Sequence, residues 1–183
     1  IIKASDMRVT GPNCLGTYSP RGGLTFPVSA PQEIGTIGVV SQSGGLSTDI
    51  IKRGQWRGLR FSGLVTIGNS ADVTAAELLE YYLVDPQTKA IGLYLEDVKD
   101  GRAFAKLLRS KTATKPVVIL VGGLSSQGRL AAASHTGALA SDHKSWQALV
   151  KQTNSIIVAT LNAFIDVLLA LQSFDLRPDR PTQ

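Results

Sequence analysis

Residues 36–45, TIGVVSQSGG, form a short apolar run that is followed directly by a turn of small residues. The run is rich in Val and Ile, which favour strands, and the residues after Gly45 have the apolar spacing of a helix. A buried strand that leads through a small turn into a helix is the repeating unit of parallel α/β sheets. This stretch therefore predicts the first βα unit of such a sheet.

Further strand-like runs follow, separated by amphipathic stretches. The predicted strands are Thr36–Val40, Gly63–Ile67, Ala90–Leu95, Pro116–Val121 and Ile156–Ala159. The predicted helices are Gly45–Arg57, Ala75–Leu83, Arg102–Ser110, one that begins near Ser141, and Leu161–Leu171. The strands are nearly continuous in apolar character, as expected of strands covered on both faces. Five parallel strands with intervening helices favour a flavodoxin-like sheet of order 2-1-3-4-5, with helices on both faces, over a six-stranded dinucleotide-binding sheet.

The two ends of the chain do not continue this alternation. Residues 1–35 contain much Gly, Pro and Ser and are predicted to be an irregular lead-in or the tail of a preceding domain. Residues 36–173 form the predicted flavodoxin-like domain, and the polar, proline-punctuated residues 174–183 are predicted to be an interdomain linker. The N-terminus lacks the pattern of a signal peptide, so we interpret it as a cut within a longer chain.

Composition limits the classes of function. The 183 residues are 43% hydrophobic and 18% charged, and no apolar stretch approaches the ~20 residues that a membrane span needs. The net charge of +5 comes from scattered Lys and Arg, so we predict no nucleic-acid surface. The single cysteine, Cys14, cannot form an internal disulfide, and no close Cys and His spacing predicts a metal site. Together these features indicate a cytoplasmic protein without a membrane segment.

The strongest candidate for a phosphate site is the turn Ser41-Gln42-Ser43-Gly44-Gly45. In a parallel sheet, ligands bind beyond the carboxyl ends of the strands where strand order reverses, which here lies between the first and third predicted strands. The turn follows the first strand and leads into a helix N-terminus, whose free amides and dipole attract anions. The alternative is that its Ser and Gly residues serve only a tight, capped turn.

Two further loops could contribute side chains to the same crevice. Glu96 follows the third predicted strand and could accept a proton from an imidazole, or it could, like Asp97, simply cap the next helix. His135 lies in a long small-residue loop after the fourth strand and could carry a phosphoryl group, although a lone loop histidine is usually an ordinary surface residue. Convergence of the three loops favours a catalytic role for His135, whereas His143 is interpreted as a solvated residue.

Four motifs occur in the order found in NDP-forming acyl-CoA synthetases, relatives of the succinyl-CoA synthetase α subunit. The motifs are Gly11-Pro12-Asn13-Cys14-Leu15-Gly16, Ser41-Gln42-Ser43-Gly44-Gly45, Tyr94-Leu95-Glu96 with Lys99-Asp100-Gly101-Arg102, and Ala133-Ser134-His135-Thr136-Gly137-Ala138-Leu139-Ala140. The chain resembles the flavodoxin-like ligase domain of that family over nearly its whole length. The resemblance implies that residues 1–35 are the tail of a CoA-binding Rossmann domain.

The resemblance implies an acid-thiol ligase in which His135 is phosphorylated and Glu96 orients and stabilises it. The turn formed by residues 41–45 would hold the phosphoryl group. Family chemistry implies that acyl-CoA and phosphate give an acyl phosphate, whose phosphoryl group passes to the histidine and then to ADP or GDP. Coenzyme A and ATP/ADP, or GTP/GDP, would be substrates, with Mg²⁺ on a separate nucleotide domain. The residues implied to line the substrate and CoA pocket are Pro12, Asn13 and Gly137.

Partners also follow from the resemblance. They are a CoA-binding Rossmann domain, an ATP-grasp domain or subunit and a small carboxylic acid, within an oligomeric full-length enzyme. Many close relatives have a lysine and a Gly-Arg pair after the fourth strand, where this chain has Val121-Gly122-Gly123-Leu124. The departure affects the setting of the histidine loop, and neither the acyl group nor the choice between ADP and GDP is predicted.

Two other functions compete with this interpretation. Related domains also serve as non-catalytic sensors of CoA or acyl groups or as assembly domains, and such copies often lack the histidine that this chain has. A flavin-binding flavodoxin-like domain is the weaker alternative. It would need aromatic residues near the switch point, for which Trp56 and Tyr94 are the candidates.

Overall fold

A computed structural model of the chain describes residues 6–24, 30–110, 114–123 and 143–174. Its strands are β1 (Thr17–Tyr18), β2 (Ile37–Ser41), β3 (Phe61–Thr66), β4 (Ala90–Leu95), β5 (Val117–Val121) and β6 (Ser155–Val158). Its helices are α1 (Gly44–Trp56), α2 (Ala75–Val84), α3 (Gly101–Arg109), α4 (His143–Lys151) and α5 (Leu161–Ser173). Each predicted strand and helix is therefore present, with bounds shifted by two residues or fewer wherever the prediction named them.

The strand order in the sheet is β1-β3-β2-β4-β5-β6. Neighbouring strands from β3 to β6 pair in parallel, so the predicted flavodoxin-like order 2-1-3-4-5 is confirmed. The prediction of five strands is wrong, because the described residues form a sheet of six. The additional strand is β1, which is the outermost strand and pairs antiparallel with β3.

Strand β1 comes from the segment that we expected to lie outside the sheet pattern. Tyr18 is fully buried, with its ring 5.9 Å from that of Phe61 in an edge-to-face contact. Its hydroxyl donates a hydrogen bond of 2.6 Å to the carbonyl oxygen of Pro31. No alternating pattern surrounds this two-residue strand in the sequence. The strand is stabilised instead by the packing of one aromatic residue, Tyr18. The division of the chain into lead-in, domain and linker stays a prediction.

Helices cover both faces of the sheet, as predicted. One hydrophobic cluster joins the sheet to α2, α3 and α4, where Phe104 and Trp146 meet edge to face at 6.2 Å. The other cluster joins the opposite face to α1 and α5, where Ile50, Phe164 and Leu168 are fully buried. Because strands β2, β4 and β5 are buried between these layers, polar groups can gather only at the two ends of the strands.

Four helices begin at a side chain that accepts a hydrogen bond from the first turn. These capping residues are Ser43, Thr74, Asp100 and Thr160, and Thr74 forms a reciprocal capping box with Glu77. Such caps satisfy amides that the helix itself leaves unpaired. The predicted cap of α4, Ser141, lies outside the described residues, as does the side chain of His143.

The basic residues near the end of α1 are paired with carboxylates. Arg53 lies 3.6 Å from Asp49, Arg57 pairs with Asp166, and Arg60 pairs with Glu33. These residues belong to the edge where the strands begin, away from the predicted crevice. In the described part of the chain, no helix is long and apolar enough to cross a membrane.

Candidate functional site

The turn after β2 is built by its two serines. The hydroxyl oxygen of Ser41 accepts a hydrogen bond from the amide of Ser43 at 3.1 Å and donates to the Ser43 carbonyl oxygen at 2.9 Å. The hydroxyl of Ser43 accepts from the amide of Leu46 at 3.2 Å and so caps α1. The serine side chains therefore form the tight, capped turn that was the alternative to a phosphate site.

The two glycines of the turn are arranged differently. Gly44 and Gly45 are the first residues of α1, and no described residue accepts a hydrogen bond from either amide. Gly45 is exposed, and a side chain added there would meet nothing within 4 Å. The first turn of α1 carries no acidic side chain that would offset the positive end of the helix dipole. Free amides at an open helix N-terminus are a suitable place for an anion.

A cavity of about 310 Å³ opens beside this helix end. Asn13, Cys14 and Leu15 line it from the N-terminal segment, and Gln42 to Gly45 line it from the turn. The structure thus brings the predicted pocket residue Asn13 to the predicted phosphate turn. Asn13 has a positive φ of 58°, a conformation that Asn tolerates better than most residues.

The N-terminal segment is held in place by the connection from β3 to α2. The amides of Asn69 and Ala71 donate to the carbonyl oxygens of Pro12 and Gly11 at 3.0 and 2.8 Å. Any side chain at Gly68 would collide with the backbone carbonyl oxygens of Pro12 and Asn13. Pro12 precedes the lining residue Asn13 and is itself exposed, and it is not among the residues that line the cavity.

Gln42 links the phosphate turn to the end of β4. Its side-chain oxygen accepts hydrogen bonds from the amides of Glu96 and Asp97, the second at 3.1 Å. Its side-chain nitrogen donates to Asp97 Oδ1 at 2.7 Å. Its backbone amide donates to the carbonyl oxygen of Tyr94 at 3.1 Å. Both polar atoms of the carboxamide are thus engaged with the β4 loop, which sequence reasoning did not anticipate.

Glu96 lies beyond the carboxyl end of β4 and does not cap the next helix. The cap of α3 is Asp100, which accepts from the amide of Ala103 at 3.0 Å. The carboxylate of Glu96 instead accepts a hydrogen bond of 3.2 Å from the hydroxyl of Tyr94. Burial, followed by the charge of Glu96 and this hydrogen bond, raises the pKa of Tyr94 above its usual value. Tyr94 therefore stays a neutral donor to Glu96 at ordinary pH.

Gly122 brings the end of β5 against these two side chains. A side chain added at Gly122 would have its Cβ 2.9 Å from Glu96 Cγ and 2.9 Å from Tyr94 Oη. Its amide also donates to the carbonyl oxygen of Leu95 at 2.7 Å. From Gly123 the chain continues into residues 124–142, and the predicted site residues His135 and Gly137 lie outside the described residues.

Lys99 ties the β4 loop to its other neighbour. Its ammonium group donates hydrogen bonds of 2.7 Å to the carbonyl oxygens of Asn69 and Ser70. Ser70 has a positive φ of 52°. The loops after β3 and β4 are thereby fastened together at the same edge as the cavity.

Some of these contacts had a signal in the sequence and others had none. Tyr94 and Glu96 are two residues apart at a strand end, so their side chains are expected on the same side. The contacts of Gln42 and Gly122 join segments that are far apart along the chain, and local patterns do not reveal them. Among the described residues no group of three or more His, Cys, Asp or Glu side chains could hold a metal ion.

The structure gives no support to a flavin site. Trp56 is the last residue of α1 and is 82% exposed. Because α1 runs antiparallel to the strands that it joins, Trp56 lies at the opposite edge from the cavity. Of the two aromatic candidates, only Tyr94 is at the switch point, and its hydroxyl is engaged with Glu96.

Comparison with known proteins places this architecture in a family. The model of the succinyl-CoA ligase-like flavodoxin domain matches residues 34–171. The chain belongs to this family. The predicted resemblance is confirmed at this level.

Curated relatives include larger enzymes. The α subunit of ADP-forming acetate–CoA ligase II from Pyrococcus furiosus is 36% identical over 164 residues, which covers 90% of this chain and 36% of the relative. The ADP-forming 4-hydroxybutyrate–CoA ligase of Nitrosopumilus maritimus is 36% identical over 176 residues, 93% of this chain and 25% of the relative. The chain thus spans a quarter to about a third of the length of these relatives.

A solved structure agrees with the sequence relatives. The dinucleotide-forming acetyl-coenzyme A synthetase 1 of Candidatus Korarchaeum cryptofilum, in complex with phosphate and ADP, superposes with a TM-score of 0.80 at 29% identity. The match covers 91% of this chain and 36% of that one. The described fold therefore matches about a third of a longer synthetase chain.

Proposed function

We propose that this chain is the phosphohistidine domain of an ADP-forming acyl-CoA synthetase, with His135 as the phosphoryl carrier. Membership of the succinyl-CoA ligase-like family supports the proposal, and so do the relatives whose names describe ADP-forming ligases of small carboxylic acids. These names favour ADP over GDP as the acceptor. The histidine motif Ser134-His135-Thr136-Gly137 is present in the sequence, which favours a catalytic domain over a sensing or assembly domain.

The observation that carries the proposal is the position of Glu96. Its side chain lies against Gly122, two residues before the segment that contains His135. The same edge of the sheet carries the free amides of Gly44 and Gly45. A carboxylate and an anion-binding helix end at one edge are the two groups that a phosphohistidine needs, one for the imidazole and one for the phosphoryl oxygens.

The proposed chemistry has three steps. Phosphate attacks the carbonyl carbon of acyl-CoA, and the thioester bond breaks to give acyl phosphate and CoA. A ring nitrogen of His135 then attacks the phosphorus atom, the bond from phosphorus to the carboxylate oxygen breaks, and the carboxylic acid leaves as its anion. Finally a terminal oxygen of ADP attacks the phosphorus atom, the bond from phosphorus to nitrogen breaks, and ATP forms.

The step that phosphorylates His135 uses Glu96, Gly44 and Gly45. Glu96 holds the proton on the second ring nitrogen of His135 and stabilises the positive charge that develops on the ring when the first nitrogen is phosphorylated. The amides of Gly44 and Gly45 donate hydrogen bonds to the phosphoryl oxygens, whose negative charge the dipole of α1 also stabilises. The absence of a side chain at Gly45 lets the phosphoryl group approach the backbone closely.

The complete reaction is proposed for the whole enzyme, of which this chain is about a third or less by comparison with its relatives. CoA and ADP are proposed as substrates, bound largely by a CoA-binding Rossmann domain and an ATP-grasp domain or subunit. Mg²⁺ is proposed to bind with the nucleotide on the latter. The acyl group is proposed to be a small carboxylic acid.

The test is intact-mass analysis of the full-length enzyme after brief exposure to ATP and Mg²⁺. We expect one acid-labile, base-stable phosphoryl group on the wild type and on His143→Asn, and none on His135→Asn. His143→Asn is the matched control because it removes the other histidine of the chain. A wild-type enzyme that binds ATP but acquires no such group would contradict the proposal and favour a sensing domain.

A further inference from the structure

The carboxamide of Gln42 connects the phosphate turn to the loop that carries Glu96. We infer that Gln42 is a positioning residue for Glu96, and this inference rests on the proposed function. Its side-chain oxygen accepts from the amides of Glu96 and Asp97, and its side-chain nitrogen donates to the Asp97 carboxylate. The residue lies in the turn without being free to bind phosphate through its side chain.

The hydrogen bonds of Gln42 begin where the sheet ends. Strands β2 and β4 pair in parallel up to Ser41 and Tyr94, and the amide of Gln42 adds a last backbone bond to the Tyr94 carbonyl oxygen. Beyond that point the segments that follow β2 and β4 separate, the first entering α1 and the second leading toward α3. The side chain of Gln42 spans this gap and extends the link between the strands by two residues.

Glu96 depends on this link because little else holds it. Within the described residues, its carboxylate has one hydrogen bond, from the hydroxyl of Tyr94, and no ion pair with a Lys or Arg. Gly122 provides contact on one side. The backbone position of Glu96 is therefore what sets the carboxylate, and Gln42 sets that backbone. Loss of the carboxamide would leave two half-buried amides without their acceptor and release the loop.

The first test replaces Gln42 with Met, which keeps the length of the side chain and removes its hydrogen bonds. In the full-length enzyme, Gln42→Met is expected to slow phosphorylation of His135 by roughly 10- to 100-fold, comparable to the loss when a residue that hydrogen-bonds and orients a metal ligand is removed. The KM for ATP is expected to stay unchanged, because the nucleotide is proposed to bind on the ATP-grasp domain or subunit.

A double-mutant cycle with Glu96→Gln asks whether Gln42 acts through Glu96. In the Glu96→Gln background, Gln42→Met is expected to slow phosphorylation no further, because the carboxylate that it positions is already lost. Equal slowing in both backgrounds would overturn the inference, since it would mean that Gln42 acts directly on the phosphoryl group or the turn.

An exchange of partners provides a rescue. Gln42→Glu keeps the acceptor for the two amides but places a carboxylate against that of Asp97. Phosphorylation of His135 should therefore be slow in this variant. The double variant Gln42→Glu with Asp97→Asn restores one amide and one carboxylate in reversed positions. It is expected to recover most of the wild-type rate, and a double variant as slow as Gln42→Glu would overturn the inference.

Gln172 is the matched control. Its carboxamide likewise bridges loop backbone, accepting from the amide of Arg60 at 2.7 Å and donating to the carbonyl oxygen of Gly58 at 2.9 Å, but at the opposite edge of the sheet. Gln172→Met should lose stability without loss of phosphorylation rate. A wild type that forms no phosphohistidine would refute the proposed function, whereas a normal rate in Gln42→Met beside a phosphorylated wild type would refute this inference alone.

Discussion

The two edges of the sheet each contain a glutamine that bridges loops, but the charges around the two glutamines differ. At the edge where strands begin, near Gln172, the guanidinium groups of Arg57 and Arg60 are paired with carboxylates. At the edge where strands end, near Gln42, the carboxylate of Glu96 has no cationic partner among the described residues. The same kind of bridge therefore closes the fold at one edge and keeps an uncompensated charge in place at the other.

The direction of the chain explains this division. In a parallel sheet all connecting helices have their N-termini at the edge where strands end, so the free amides and positive dipole ends gather there. An anion bound at that edge is stabilised, whereas the opposite edge collects helix C-termini and the basic side chains that suit them. Arg53 in the last turn of α1 is an example.

The largest difference between the edges is expected from removing a carboxylate. Glu96→Gln should slow phosphorylation of His135 on the order of 1,000-fold, within the range for a residue that manages a proton in the transition state. Glu33→Gln, which breaks the pair with Arg60, should leave the rate unchanged. Quench-flow measurement of the phosphoenzyme would compare them, and equal rates in the two variants would abolish the distinction between the edges.

A second comparison uses the close approach of β5 to Glu96. Gly122→Ala places a methyl group 2.9 Å from Glu96 Cγ and from Tyr94 Oη, so both side chains must move. Phosphorylation should slow on the order of 100-fold, as expected for displacement of a reacting group by about 1 Å. Gly101→Ala is the control, because its methyl group would meet nothing within 4 Å. A normal rate in Gly122→Ala would show that Glu96 is not confined by this contact.

Removing a single hydroxyl should have a smaller effect. Tyr94→Phe deletes the hydrogen bond to Glu96 and should slow phosphorylation roughly fivefold, the equivalent of about 1 kcal/mol. Tyr18→Phe deletes a hydrogen bond to the Pro31 carbonyl oxygen. It should lower the free energy of unfolding by about 1 kcal/mol without changing the phosphorylation rate. Thermal unfolding and the phosphorylation assay distinguish an effect on stability from an effect on rate. Slower phosphorylation in Tyr18→Phe would contradict this prediction.

The smallest effect concerns alkaline stability. Burial raises the pKa of Tyr18 to about 12, whereas an unfolded tyrosine ionises near 10. The unfolded state therefore loses this proton first, and the stabilising contribution is present below about pH 10 and is lost as pH rises from 10 toward 12. Urea unfolding between pH 9 and 11.5 should show a shallower decline for Tyr18→Phe than for the wild type. Parallel declines would contradict the assigned shift.

Much of the fold was predictable because its signal is local. The five parallel strands are short, largely apolar runs, and each precedes an amphipathic stretch, so order and layers follow from general rules. Strand β1 escaped prediction because its two residues carry no pattern. It forms because Tyr18 packs on Phe61 from a distant part of the chain.

The candidate site was predictable only in part, for the same reason. Small residues before a helix identified the turn at Ser41, and the edge location followed from topology. Three acidic residues precede α3, and only the structure distinguishes Asp100, which caps the helix, from Glu96, which does not. The bridge from Gln42 joins residues that are 54 and 55 positions apart, beyond the reach of any local pattern.

The most direct test of the central claim is a structure of the full-length enzyme trapped as its phosphoenzyme. Our account predicts a phosphoryl group on His135 with its oxygens about 2.7–3.1 Å from the amide nitrogens of Gly44 or Gly45. It also predicts a hydrogen bond from the second ring nitrogen to Glu96, with Gln42 still bonded to the loop. A phosphohistidine whose phosphoryl group lies away from the N-terminus of α1, with Glu96 out of reach of the ring, would contradict it.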